Sequence, residues 1–168
     1  MLLLSVFLAL VVVGMTVFLL DSFFGGLDFA SNLAIASHTV SIIKNRKLEN
    51  GRFYDLGSAR GGFALIIAKA LPNMRVTGID CSWVRDWIAK ARSVFYKNLD
   101  FKKDDIFEAE LTSADVVYIY LPQELMNDLE IKLKKELKPG AIVVSNKVNF
   151  PNWQPAEKVD KLFVYVKE

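Results

Sequence analysis

The stretch Phe53–Pro72, FYDLGSARGGFALIIAKALP, decides the fold. A short apolar run meets an acid, Asp55, then a turn with Gly57, Ser58, Gly61 and Gly62, then a helix-like run to Leu71. Glycines at such a seam let the backbone approach a ligand at the start of a helix. The dinucleotide pattern G-x-G-x-x-G does not fit, because Gly57 and Gly61 are four apart with Ala59 between them. The carboxylate two residues before the first glycine therefore needs another purpose.

Around this seam, strand and helix patterns alternate. Strand Arg52–Asp55 leads to a helix over Gly61–Leu71, closed by Pro72-Asn73. Strand Arg75–Ile79 leads to a helix over Trp83–Phe95, and short strand Leu99–Lys102 precedes buried strand Asp115–Tyr120. A helix over Gln123–Leu137 stops at Lys138-Pro139-Gly140. Strand Ala141–Val148, a loop through Phe150–Pro155 and strand Leu162–Val166 complete the chain. Upstream, Ser31 or Asn32 is a candidate cap for a helix running to about Arg46. This alternation predicts an α/β fold with a parallel, doubly wound sheet.

The first twenty residues read differently. Met1–Leu20 holds no charged residue and is apolar all round, long enough at about 1.5 Å per residue to cross a bilayer core of roughly 30 Å. It lacks the basic start and small-residue cleavage site of a secretory leader. The expected organisation is an anchor over 1–20, a linker and N-terminal helix over 21–50, and one domain over 51–168. The first basic residues, Lys44, Arg46 and Lys47, predict a single-pass protein whose domain faces the cytoplasm, or the matrix in an organelle.

Over 168 residues, 21 Lys+Arg against 19 Asp+Glu give a net charge of +2, too balanced to predict nucleic acid as a partner. A single cysteine, Cys81, and a single histidine, His38, exclude a disulfide framework, a zinc cluster and a two-histidine metal site. No metal is expected.

Ligands of doubly wound sheets bind beyond the carboxyl ends of the strands, and acids stand at three of those ends. Asp80 closes VTGID, where an acid accepts hydrogen bonds from the ribose hydroxyls of a nucleoside. Asp105, in KKDDIF, is placed to receive an adenine amino group, with Ile106 or Phe107 against the ring. Asp55 then faces the other end of the ligand, where its charge suits an ammonium or sulfonium. Cys81 reads as a pocket wall or small buried hydrophobe. A nucleoside with a cationic tail is S-adenosylmethionine, so the expected cofactor contacts are Asp55, Gly57, Ser58, Gly61, Asp80, Cys81, Asp105 and Ile106.

DLGSARGG, VTGID and KKDDIF resemble the first motifs of class I S-adenosylmethionine methyltransferases. The stretch Asp115–Trp153, with Pro122-Gln123-x-x-Met126 and Phe150-Pro151-x-Trp153-x-Pro155, is similar to membrane-anchored protein-lysine methyltransferases. That family includes the enzymes for the ATP synthase c subunit and the adenine nucleotide translocase. Ala59, Arg60 and Gly62 stand where the family has glycine, an acid and arginine. The resemblance implies a Rossmann-like sheet of six to seven strands and a lysine acceptor on a membrane or membrane-associated protein. It also places Tyr120, Pro122 and Gln123 beside the transferable methyl. Tyr120 and Gln123 would orient the acceptor nitrogen, and Pro122 would shape the wall. A lipid or small-molecule acceptor, and a catalytically silent cofactor-binding module, are the competing readings.

Overall fold

The computed structural model describes residues 2–25 and 29–168, with side chains described for 3–16 and 33–168. The chain divides into two compact units, Met1–Leu33 and Ala34–Glu168. Helix α1 spans Leu2–Gly25, and its described side chains, residues 3–16, are all exposed. Among the described residues no helix is long and apolar enough to cross a membrane. Residues 3–16 reach only about 20 Å at about 1.5 Å each. The rest of the expected span over Met1–Leu20, namely Met1, Leu2 and Val17–Leu20, lies outside the described side chains. The structure therefore lends the anchor no support.

Helix α2 spans Phe29–Asn45, starting ahead of the expected start at Ser31 or Asn32. Its buried face, Ile35, Ala36, Thr39, Ile42 and Ile43, has the helical period. Strand β1 (Arg52–Leu56), α3 (Gly62–Ala70), β2 (Arg75–Asp80), α4 (Trp83–Ser93), β3 (Leu99–Lys103), β4 (Val116–Ile119), α5 (Met126–Glu136), β5 (Ile142–Asn146), β6 (Glu157–Val159) and β7 (Leu162–Val166) follow. They form one seven-stranded sheet in the order β3-β2-β1-β4-β5-β7-β6.

The sheet is mixed, which corrects the wholly parallel expectation. Strands β1 to β5 pair in parallel, but β7 runs antiparallel to both β5 and β6. No helix separates β6 from β7, and a tight hairpin through Asp160 (φ 53°) can only join antiparallel strands. Strand β6 lies between the expected loop, Phe150–Pro155, and the expected strand Leu162–Val166, where no element was expected.

Alternation along the strands sorts side chains onto two faces. Phe53, Val76, Phe101, Val116, Tyr118 and Val144 pack under α2, α3 and α4. Tyr54, Leu56, Ile79, Val117, Ile119, Val143 and Tyr165 pack under α5, which supplies Met126, Leu129 and Leu133. The strand order reverses between β1 and β4, so the crevice for a ligand opens at the carboxyl ends of these two strands.

Candidate active site

The turn after β1 is built around two glycines in left-handed backbone, Gly57 (φ 77°) and Gly61 (φ 73°). A Cβ at Gly57 would fall 2.6 Å from the Leu121 side chain, and one at Gly61 would enter the Phe101 ring. The amides of Gly57 and Ser58 both donate to the Ile79 carbonyl at 2.9 Å, clamping the turn onto β2. Ser58 is buried. Ala59 is also left-handed (φ 47°), and its amide donates to Asp80 Oδ2 at 3.0 Å.

Asp55 sits beside this turn, paired in register with Gly78 on one side and Tyr118 on the other. It is buried, and its Oδ2 has no hydrogen-bond partner. Burial pushes its carboxyl up from 3.8 to about 7; a backbone hydrogen bond from Ala64 opposes that rise and the charge of Asp80 adds to it. A buried acceptor without a partner carries a desolvation cost that a cationic ligand would relieve. By that test the site fits a ligand with a positively charged tail.

Asp80 is buried and heavily committed. Its Oδ1 accepts from the Ser82 amide at 2.8 Å and lies 3.3 Å from Arg85 Nε, while Oδ2 accepts from Ala59. A carboxylate offers about four acceptor positions, so roughly one remains for a ribose hydroxyl while Arg85 stays in place. Asp80 therefore shapes both the glycine turn and the start of α4. Asp105 is exposed, and its Oδ1 accepts from the Phe107 amide at 2.9 Å, closing a local turn; Ile106 and Phe107 pack half-buried beside it. Cys81 is exposed, which corrects the expectation of a buried small hydrophobe. It follows Asp80 into the turn before α4, where its side chain leaves the sheet.

The three residues expected beside the methyl have partners within the chain. The Tyr120 hydroxyl accepts from Lys147 Nζ at 2.8 Å, and that ammonium lies 4.9 Å from the centre of the Tyr120 ring. Gln123 Nε2 donates to the Asn149 carbonyl at 3.1 Å. Pro122 is exposed and precedes a single 3-10 turn, Gln123–Leu125. These contacts tie the end of β4 to the loop after β5. Trp153, in that loop, packs against Phe150 and Tyr165, with Lys134 Nζ 5.6 Å from its ring centre. It closes the end of the core.

Sequence reasoning missed Asn146 and Tyr118. Asn146 ends β5, buried; its Nδ2 donates to the Tyr118 hydroxyl at 3.1 Å, and its Oδ1 has no partner. Tyr118 stacks on Phe63 with ring centres 3.8 Å apart. Asp55, Tyr118 and Asn146 thus stand on three neighbouring strands at the carboxyl edge, and two of them carry unpartnered acceptors. The available signal was a polar residue closing the apolar run Ile142–Asn146. Among the described residues no group of three or more His, Cys, Asp or Glu is placed to hold a metal ion.

A sheet of this order, with a glycine turn after β1 and an acid closing β2, defines a class I S-adenosylmethionine-dependent methyltransferase. Comparison with solved structures agrees. An RNA methyltransferase from Salinibacter ruber, in complex with S-adenosyl-L-homocysteine, matches with TM-score 0.67 and 26% identity, over 77% of this chain and 91% of that one. Residues 55–157 match the family model for the ANTKMT methyltransferase domain, and the chain belongs to that family. A protein-lysine N-methyltransferase of Saccharolobus islandicus is 32% identical over 111 residues, 63% of this chain and 68% of the relative. The lysine N-methyltransferase of Xenopus laevis named for the ATP synthase c subunit is 25% identical over 139 residues, and the match spans 61% of its length. For the human enzyme of the same name the span is 56%.

Proposed function

We propose that the chain transfers a methyl group to a lysine side chain of a membrane or membrane-associated protein. The observation that carries this is the pair of buried, unpartnered acceptors at the carboxyl edge of the sheet, Asp55 Oδ2 on β1 and Asn146 Oδ1 on β5. The lysine acceptor is supported by what the Saccharolobus islandicus and Xenopus laevis relatives act on. S-adenosylmethionine supplies the methyl group as an electrophile on a sulfonium. The chain's own residues supply position. Asp55 meets the cationic tail, the Gly57–Gly61 turn and Ser58 meet the backbone of the ligand, and the remaining acceptor position of Asp80 takes a ribose hydroxyl. Asp105 and Ile106 border the adenine, with Cys81 at the rim.

On the acceptor side, methyl transfer is an in-line displacement, so holding the nitrogen in place supplies much of the rate. The amine must be neutral, and a pocket that excludes water lowers its pKa. Asn146 Oδ1 is assigned to accept a hydrogen bond from that amine and aim its lone pair. Tyr120, Pro122 and Gln123 form the wall, held by Lys147 and the Asn149 carbonyl. Asn146→Ala should then lower kcat/KM about tenfold, the worth of one buried hydrogen bond, with the Kd for S-adenosylmethionine unchanged. Isothermal titration and steady-state kinetics on one preparation check this; an equal loss of cofactor affinity would refute the assignment.

The membrane part of the proposal rests on sequence: twenty residues without charge at 1–20, and basic residues only from Lys44. It places the domain on the cytoplasmic or matrix side. Extraction of membranes with alkaline carbonate should leave the protein in the pellet. For the reaction itself, radiolabelled methyl transfer into a membrane extract, separated into protein, lipid and RNA, should put the label in protein lysine. Label in lipid or RNA would replace the lysine reading.

A further inference from the structure

Helix α4 is turned inside out. It buries Asp86 and Ala89 against the domain and leaves Trp83 70% and Trp87 75% exposed. The turn that follows adds Val94 and Phe95, at 75% and 88%. At 100° per residue, Trp83, Trp87, Lys90 and Val94 fall within about 60° of one another around the helix axis. An ordinary amphipathic helix places its tryptophans inward and its acid outward. Several large apolar side chains side by side on one outer face mark an interaction surface rather than chance exposure.

The charges on this element identify the partner. Residues 83–97 carry Arg85, Lys90, Arg92 and Lys97 against one acid. That acid, Asp86, is buried and bonded to Lys90 Nζ at 2.9 Å, and Arg85 is drawn to Asp80. Arg92 lies on the far side of the helix, about 180° round from Trp83, and donates to the Arg60 carbonyl at 3.2 Å. The basic side chains on the outer side are Lys90, among the exposed rings, and Lys97, just past Phe95, and no acid stands beside them within residues 83–97 except the buried Asp86. Tryptophan interleaved with Lys on an exposed helix face matches the headgroup level of a bilayer, where indole rings settle and basic side chains meet anionic lipid.

We propose that the α4 face, Trp83, Trp87, Val94 and Phe95 with Lys90 and Lys97, docks on the surface of an anionic lipid bilayer. This stands apart from any insertion of residues 1–20 and deepens the reading of a membrane-associated acceptor. Trp83 directly follows Ser82, whose amide bonds to Asp80, so the docked face adjoins the cofactor crevice.

The test reads the tryptophans and not the methyl transfer, so its failure and that of the lysine reading are distinguishable. The full chain is added to vesicles of phosphatidylcholine with and without phosphatidylglycerol, some lipids being brominated just below the headgroup. Brominated lipid should quench tryptophan emission and shift it to the blue, more strongly with phosphatidylglycerol present. Replacing both exposed rings, Trp83→Phe with Trp87→Phe, should remove most of the quenching and leave only the weaker signal of Trp153. Lys97→Glu should remove most of the extra quenching due to phosphatidylglycerol. All three side chains are exposed, so these variants should fold. If acrylamide reaches Trp83 and Trp87 equally with and without vesicles, the proposal is overturned. It also fails if these rings are already shielded from acrylamide without lipid, which would assign the face to a second copy of the chain.

Discussion

Asp55→Asn should make the cofactor-free protein more stable at pH 8 while removing most of its affinity for S-adenosylmethionine. The carboxyl of Asp55 titrates at about 7 in the folded chain, against 3.8 for a solvated aspartate, because burial disfavours its charge. Between these values the folded state binds more protons than the unfolded state, so stability falls as pH rises from about 4 to about 7. Three pH units at about 1.4 kcal/mol each make that loss about 4 kcal/mol in full. Asparagine cannot ionise, so the variant should not show this contribution to the decline. Urea denaturation of both proteins at pH 5 and pH 8 checks the sign: wild type loses stability between the two, and the variant loses much less. The ligand reverses the balance. A cationic tail needs the ionised carboxylate, and losing a charge-assisted hydrogen bond costs about 1.5–3 kcal/mol, roughly tenfold or more in Kd. For the same reason wild-type affinity should weaken as pH drops below 7. If calorimetry gave the variant wild-type affinity at pH 8, Asp55 would have no part in holding the cofactor.

Much of the fold was legible because strands and helices alternate with clear punctuation. VTGID ends β2 at Asp80, and Lys138-Pro139-Gly140 stops α5, each within a residue or two of where the sequence placed it. Strand direction was not legible, since the side-chain pattern of β7 is the same run either way. Strand β6 escaped because its three residues, Glu157–Val159, are mostly exposed and too few to show alternation. The helical period gave α4 but not its orientation: nothing local says that Asp86 turns inward while Trp87 turns out. At the site, Asp55 and the glycine turn could be read because their chemistry is continuous in sequence. Asn146 and Tyr118 could not, because their contact arises from β4 and β5 pairing across a helix. The bonds of Asp80 to Ala59 and Arg85 were hidden for the same reason: each partner lies beyond the motif that singled out Asp80.

Gly61→Ala should be the most damaging single-methyl change in the glycine turn, and two other glycines provide its scale. Gly61 has φ 73° and caps α3, and a Cβ there would enter the Phe101 ring, which is itself buried against the sheet. The left-handed conformation alone costs an alanine about 1–2 kcal/mol, and overpacking a full core adds about 1–3 kcal/mol. Gly140 shares the conformation, at φ 84°, but a Cβ there meets nothing within 4 Å. Gly140→Ala should therefore show the backbone cost only. Gly62 has neither obstacle and opens α3, so Gly62→Ala should be neutral or stabilising by up to about 1 kcal/mol. Urea denaturation of the three variants should rank them Gly61, Gly140, Gly62 from most to least destabilised. Phe101→Leu should recover part of the loss when combined with Gly61→Ala, since it removes the atoms the methyl strikes. The effect should reach the site as well. The Ala64 backbone bonds to Asp55, so any shift of α3 away from Phe101 pulls on that contact. Cofactor affinity should fall in Gly61→Ala and hold in Gly140→Ala; equal affinities in the two would separate the turn from the cofactor.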